Sequence, residues 1–373
     1  MATATPDQLA ERPVSRVSDV YAPYGVRENA LSVEEIFELY ERTGFLYPEK
    51  AARLRPHIAK VKDNWRRMLR SQDSLISVLT AGDSQRGMAS LTVWRTAQRG
   101  STLQHLVSEE NPLASRAVML ACGAASIANK NDDSGQNWFR RENRFPARMF
   151  GSVVEAVGPS WSSLQRHSYF AFPRRIAYVP DPGVYVTGYD PPQKATLCAL
   201  AAAVRGYIYV VAEGLAGDVE FAGIDQLYRR VGLRRTRHVW IAYRTRTQEV
   251  LGAAIAYRGP LGINFSYLEN RCDLLISRSV SQSDTIGVAR ALLRAASQAY
   301  EDFELDEIPL ITDDHAAQAC RQLGGEFLRH YCQGIWLKDG CPAFQRHIEA
   351  FYSRLLLRAE KHSLRKALIG SFS

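Results

Sequence analysis

One pattern of elements runs through this chain twice, and it limits the fold more than any feature of composition. In each copy, helical segments are followed by two alternating, strand-like runs, a further strand, a loop and a long amphipathic helix. Leu75-Ile-Ser-Val and Arg86-Gly-Met-Ala-Ser-Leu in the first copy align with Val239-Trp-Ile-Ala and Leu251-Gly-Ala-Ala-Ile in the second. Farther along, Arg116-Ala-Val-Met-Leu aligns with Arg290-Ala-Leu-Leu-Arg. The likeness is one of pattern rather than identity. A chain of 373 residues has room for two such units with separate cores.

Local signals set the boundaries. Residues 1–30 lack periodicity and read as a flexible N-terminal arm. Ser32, followed three residues later by Glu35 and by the apolar positions Ile36, Phe37, Leu39 and Tyr40, predicts a capped amphipathic helix. The first domain is expected over 31–158, a junction rich in Pro, Gly, Tyr and Ser over 159–192, the second domain over 193–340, and a C-terminal helix and tail over 341–373. A short strand is also expected at Asn264–Tyr267, between the second hairpin and the strand Cys272–Ile276.

Composition closes off several classes. No run reaches the roughly 18 consecutive apolar residues that a membrane span needs, and the N-terminal residues lack a secretory apolar core, so a cytoplasmic protein without a membrane span is expected. Cys122, Cys198, Cys272, Cys320, Cys332 and Cys341 form no CxxC pair and have no histidines at ligand spacing, so they read as reduced core residues and no metal is expected. The formal net charge of +8 favours anionic ligands. The clusters Arg229/Arg230, Arg234/Arg235 and Arg237 read as solvated faces before they read as a nucleic-acid surface. The run Asn137–Arg144, aromatic and basic together, reads as a helix end with one buried aromatic side, with nucleotide stacking as the alternative.

The segment from Asp273 to Leu293 carries the clearest chemistry. It is a strand, a small polar loop and an amphipathic helix, so that unpaired N–H groups and the positive end of the helix dipole form a place for a pyrophosphate. Gly287 permits close approach of a ligand to the backbone, Ala289 keeps the next turn small, and Arg278, Arg290 and Arg294 bring positive charge.

This order of elements resembles the GNAT (N-acetyltransferase) superfamily, whose loop carries Gln or Arg, two residues, Gly, one residue, then Gly or Ala. The corresponding stretch here is Asp284-Thr-Ile-Gly-Val-Ala289, with Asp at the first place. Downstream, Asp313, Ala316, Cys320 and Leu323-Gly324 match the spacing of a second motif of that superfamily, with Cys320 where its Tyr stands. The resemblance implies an α/β (α+β) fold of two tandem domains, each a mixed, mostly antiparallel sheet flanked by helices. It implies acyl-CoA, or an acyl carrier, as cosubstrate, and a small-molecule amine or amino-acid-type acceptor. It also implies direct attack of the amine on a thioester beside a strand pair that splays at a bulge in the fourth strand.

Carried onto this chain, the cosubstrate-binding residues are Ile276, Arg278, Thr285, Ile286, Gly287, Val288, Ala289 and Arg290. Glu269 and Asp273 are the candidate bases, with His315 outside them, and Cys320 is the candidate acid, with Tyr331 or His330 as its substitute. The equivalent loop of the first half, Ser108–Arg116, has no glycine and adds Glu109 and Glu110, so the first half reads as a degenerate copy. Three functions stay open on the sequence: an N-acyltransferase working in the second half, a catalytically inactive tandem binding or scaffold protein, and a basic protein that binds nucleic acid or tRNA.

Overall fold

The computed structural model describes residues 18–370 other than 178 and 180. Residues 1–17 of the expected arm and 371–373 of the expected tail therefore lie outside the described residues. After α1 (Ser18–Tyr21) and β1 (Arg27–Glu28), the first half runs α2 (Val33–Arg42), α3 (Pro48–Leu54), α4 (Ile58–Leu69), β2 (Ile76–Asp83), β3 (Gly87–Ala97) and β4 (Gly100–Ser108). It continues through α5 (Pro112–Ala128), β5 (Ser134–Phe139), α6 (Arg144–Phe150), α7 (Val153–Val157) and β6 (Ser162–Pro173). The second half runs β7 (Val184–Gly188), α8 (Lys194–Arg205), α9 (Tyr207–Ala212), α10 (Ala222–Arg229), β8 (Thr236–Arg244), β9 (Val250–Arg258) and β10 (Cys272–Ile276). Then come α11 (Gln282–Ser297), β11 (Glu307–Thr312), α12 (Asp314–Gln322), β12 (Glu326–Leu337) and α13 (Cys341–Gly370).

The helix starts follow from their capping residues. Ser32 and Glu35 form the reciprocal capping box of α2, Asn111 accepts a hydrogen bond from the Ala114 N–H at the start of α5, and Ser281 accepts one from Asp284 in α11. The first hairpin turns one step later than its Gly82-Asp83 pair suggests. Asp83 ends β2 and its carboxylate accepts the N–H groups of Gln85 and Arg86, which closes the turn between β2 and β3. Residues 264–267 form a turn rather than the expected strand. Asn264 Oδ1 accepts the Ser266 N–H at 2.7 Å, and Tyr267 lies at φ 59°, outside the extended region.

All described strands join one sheet of twelve, in the order β1-β2-β3-β4-β5-β12-β6-β11-β10-β9-β8-β7. Read inward from its two edges, the sheet is the same list twice: β1 to β5 then β12, and β7 to β11 then β6. In each half the fourth strand is parallel to the fifth (β4 with β5, β10 with β11), and the other neighbours are antiparallel. The sixth strands are exchanged. β6, which ends the first half, pairs with β11, and β12, which ends the second, pairs with β5.

Apolar burial, the main favourable term in folding, is divided between two large clusters. One runs from Phe37, Tyr40 and Trp65 on α2 and α4, through Ile255 and Leu275, to Leu292 and Leu293 on α11. The other packs Val118 and Met119 of α5 against Trp336, Phe344 and Ile348 of β12 and α13.

Candidate functional site

A cavity of about 670 Å³ opens in the first half where β4 and β5 separate. Two features of β4 produce it. The β3–β4 register passes from Ser90↔Val107 to Thr92↔Gln104, so that Leu91 stands opposite both His105 and Leu106. His105 absorbs this bulge at φ 55°, a backbone conformation that non-glycine residues adopt at a cost. The parallel pairing with β5 then ends at Leu103↔Asn137, although β4 runs on to Ser108. Past Leu103 this edge of β4 has no strand partner.

The second half lacks the bulge, although its parallel pairing also ends early, at Asp273↔Ile311, with β10 running on to Ile276. The β9–β10 register is unbroken from Ala256↔Cys272 to Gly252↔Ile276, and the ends of β10 and β11 are bridged by an Arg278–Asp313 ion pair at 2.9 Å.

The wall of the first-half cavity combines aromatic surface with polar atoms that have no partner. The His105 ring stacks on Trp65, with centroids 5.9 Å apart and planes 3° apart, and lies 4.4 Å from Phe265. Neither of its nitrogens has a hydrogen-bond partner. Burial, and after it the charge of Lys50, holds this imidazole well below the usual histidine range, so it is neutral at pH 7. Asn137 Oδ1 and Trp138 Nε1 on β5 are likewise buried and unpartnered. Unpaired buried polar groups are expensive, and clustered on one cavity they mark where a ligand or water completes them.

Cations stand on the same wall. Lys50 Nζ lies 3.7 Å from the centre of the Phe45 ring and 4.9 Å from that of Tyr47. Burial first, then Arg140 and Arg329, pushes its ammonium down to about 7.

The residues expected from the sequence are spread over three places. Tyr331, on β12, lines the cavity, and burial pushes its phenol upward. Glu269 and Asp273 are each 1 % exposed and held in the core by ion pairs. Glu269 meets Arg235 at 2.8 Å, while Asp273 meets Arg271 at 2.9 Å and accepts the Tyr209 hydroxyl at 2.7 Å. Glu269 reaches the cavity wall only through Gln104, whose amide lies 3.4 Å away. Cys320 is buried in α12, where burial pushes its thiol up to about 12.

The eight cosubstrate-binding candidates stay together at β10 and α11, away from the residues that line the cavity. Ile276, Thr285, Val288 and Ala289 are core residues, Ile286, Gly287 and Arg290 are half-buried, and Arg278 is exposed in its pair with Asp313. A Cβ built on Gly287 would stand 2.4 Å from Asp181 Oδ2. The space over this glycine is therefore taken by a carboxylate.

The arginine cluster of α10 and β8 is largely tied inward. Arg229 and Arg234 pair with Asp225 at 2.7 and 3.0 Å, and Arg230 pairs with Asp73 at 2.7 Å. Arg237 is buried against Phe221, where its guanidinium donates to the main-chain carbonyls of Val219, Glu213 and Asp218.

His105, Lys50 and Arg329 carry no sequence signal that sets them apart. Arg140 and Trp138 do lie in the aromatic and basic run 137–144, whose start is a strand rather than a helix end.

No family profile and no curated protein matches the chain. Among solved structures, the chain is similar to a Drosophila protein at 9% identity and a TM-score of 0.45, over 84% of this chain and 99% of that one. It is similar to a tandem GNAT protein from the clavulanic acid biosynthesis pathway at 12% identity and a TM-score of 0.40, over 84% of this chain and 98% of that one. A GCN5-related N-acetyltransferase from Sphaerobacter thermophilus aligns at 12% identity and a TM-score of 0.38, over 71% of this chain and 81% of that one. These are likenesses of fold. The two-fold repeat of the sheet is read from the strand order of this chain itself.

Proposed function

We propose that this protein transfers an acyl group from a thioester to an amine, in the cavity of the first half. The observation that carries the reading is the bulge at His105 together with the early end of the β4–β5 pairing. A thioester laid along the open edge of β4 meets main-chain N–H donors where its carbonyl oxygen gains negative charge. The amine nitrogen bonds to the carbonyl carbon, and the carbon–sulfur bond breaks. Neutral His105 accepts the proton leaving the amine and passes it to the departing sulfur, while Tyr331, still protonated, donates a hydrogen bond to that sulfur. The products are an amide and a free thiol.

The helix starts bear on the donor. Asp181 stands over Gly287 at α11, and Glu109 and Glu110 precede α5, so a CoA pyrophosphate would meet a carboxylate at either one. The donor is defined by its thioester end.

Thiol release from decanoyl-pantetheine, with a panel of primary amines, tests the proposal. Release is expected for the wild type, with a loss of about 100-fold or more in His105→Gln at an unchanged melting temperature. Absence of both thiol release and a thermal shift with every thioester tried would end the reading. The carboxylates at both helix starts favour a second one, a binding protein without turnover, which predicts a thermal shift and no thiol release.

A further inference from the structure

Tyr47 is surrounded by cations that have no acid to answer them. Besides Lys50, the Arg140 guanidinium lies 5.4 Å from the centre of the Tyr47 ring, and Arg329 donates to the Tyr47 hydroxyl at 3.5 Å. Lys50 comes from α3, Arg140 from the turn after β5 and Arg329 from β12. Among the described residues, none of the three forms an ion pair. Glu49 faces the small recess beside Lys50, and Glu110 lines the cavity near α5, but neither pairs with these cations. The half-buried arginines Arg53, Arg66, Arg116, Arg174, Arg244 and Arg258 do have carboxylate partners, whereas Lys50 and Arg140 on the cavity wall and Arg329 in the adjoining recess have none. The rest of the wall mixes polar groups with an apolar stretch that includes Phe45, Phe139, Met149 and Phe150.

We propose that the cavity takes an apolar molecule with an anionic head, the head lying between Lys50, Arg140 and Arg329 and the body against Phe45, Phe139 and Met149. Guanidinium groups suit carboxylate and phosphate heads alike, because their planar donors pair with two oxygens at once. The proposal rests on the reading of this cavity as the substrate site. Within that reading, the molecule is the acceptor, an amine that also carries an acid group.

Calorimetric titration of the full chain with decanoate, decyl phosphate and decanol tests it. Decanoate or decyl phosphate is expected to bind at least about tenfold more tightly than decanol, and whichever of the two is tighter identifies the head. The double variant Arg140→Gln/Arg329→Gln is expected to bring the anions to the level of decanol, and Arg140→Lys/Arg329→Lys to recover part of the difference. Equal binding of the anions and decanol by the wild type overturns the proposal, as does binding by none of the three. Both of those results use the unmodified chain, so misfolding of a variant leaves the question decidable. Thiol release without anion binding would remove this inference and leave acyl transfer standing. Anion binding without any thioester binding or release would do the reverse.

Discussion

At the scale of single residues, Lys50 is the group whose protonation is most open to a ligand. Burial, and then Arg140 and Arg329, lower it to about 7, against a reference near 10.4 for a free lysine. The groups that face it do not titrate nearby. His105 is held well below the histidine range, Tyr331 is pushed above the usual tyrosine value, and the two arginines keep their charge. An anion beside Lys50 favours the ammonium, so the pKa rises on binding. The sign follows: below pH 7 Lys50 is already charged and affinity is greatest, and affinity falls as pH rises through 7 to 9. At pH 8, titration of decanoate in two buffers of different ionisation heat should show uptake of a fraction of a proton by the wild type and none by Lys50→Met. Equal uptake by both would assign the proton elsewhere. Nothing in Tyr47-Pro-Glu-Lys50 marks this lysine in the sequence, because its environment is assembled from β5, β12 and the bulge of β4. The same limit applies to Glu269 and Asp273. Their residue types suit a base, but the arginines that neutralise them, Arg235 and Arg271, are recognised as partners only in three dimensions.

At the scale of elements, the sequence was most legible where one rule governs each segment. The capping box of α2, the alternation in both hairpins and the stripe of α11 all appear where the pattern places them. β5 was not legible. Its residues Gln136 and Asn137 are polar yet buried, because β5 lies between two strands and Gln136 accepts a hydrogen bond from Gln333 at 2.7 Å. The bulge was not legible either: the adjacent polar pair Gln104-His105 breaks the alternation of Leu103–Val107, but so short a break also occurs in regular strands. The Gly287 loop shows the reverse case: the strand, loop and helix are present, but Asp181 covers the glycine. A prediction about the donor belongs here. With carboxylates at the starts of both α5 and α11, the nucleotide part of CoA should add little, so decanoyl-pantetheine and decanoyl-CoA are expected to bind within about threefold of each other, less than 1 kcal/mol. Competition titration measures this directly. A preference for the CoA form of more than about thirtyfold would mean that the phosphates have a seat that these helix starts do not provide.

At the scale of the whole molecule, the exchange of β6 and β12 makes each half depend on the other. β12 covers the open edge of β5 from Ser134 to Phe139, and Trp336 on that strand stacks on Phe344 of α13 with centroids 4.1 Å apart. Ile348 and Tyr352, also on α13, are fully buried in the same first-half core. A buried polar layer ties the centre together. Arg271 bridges Glu213 at 2.7 Å and Asp273 at 2.9 Å, and Gln333 joins Gln136 of β5 to this group. The cavity is shared too, since Asn264, Phe265 and Tyr331 of the second half line it. A fragment covering residues 18–158 therefore lacks a strand beside β5, the aromatic pair Trp336 and Phe344, and part of the site wall. Leaving a β5 edge bare and a large apolar face uncovered removes what a separate domain needs for cooperative folding. The fragment is expected to melt without a sharp transition and to bind a hydrophobic dye, while the full chain melts cooperatively. A fragment with a sharp transition and near-native circular dichroism would show that β12 and α13 are dispensable for the first half. The repeat in the sequence describes how the chain is written, whereas the exchanged strands determine its folding unit, and they place residues from both halves around one cavity.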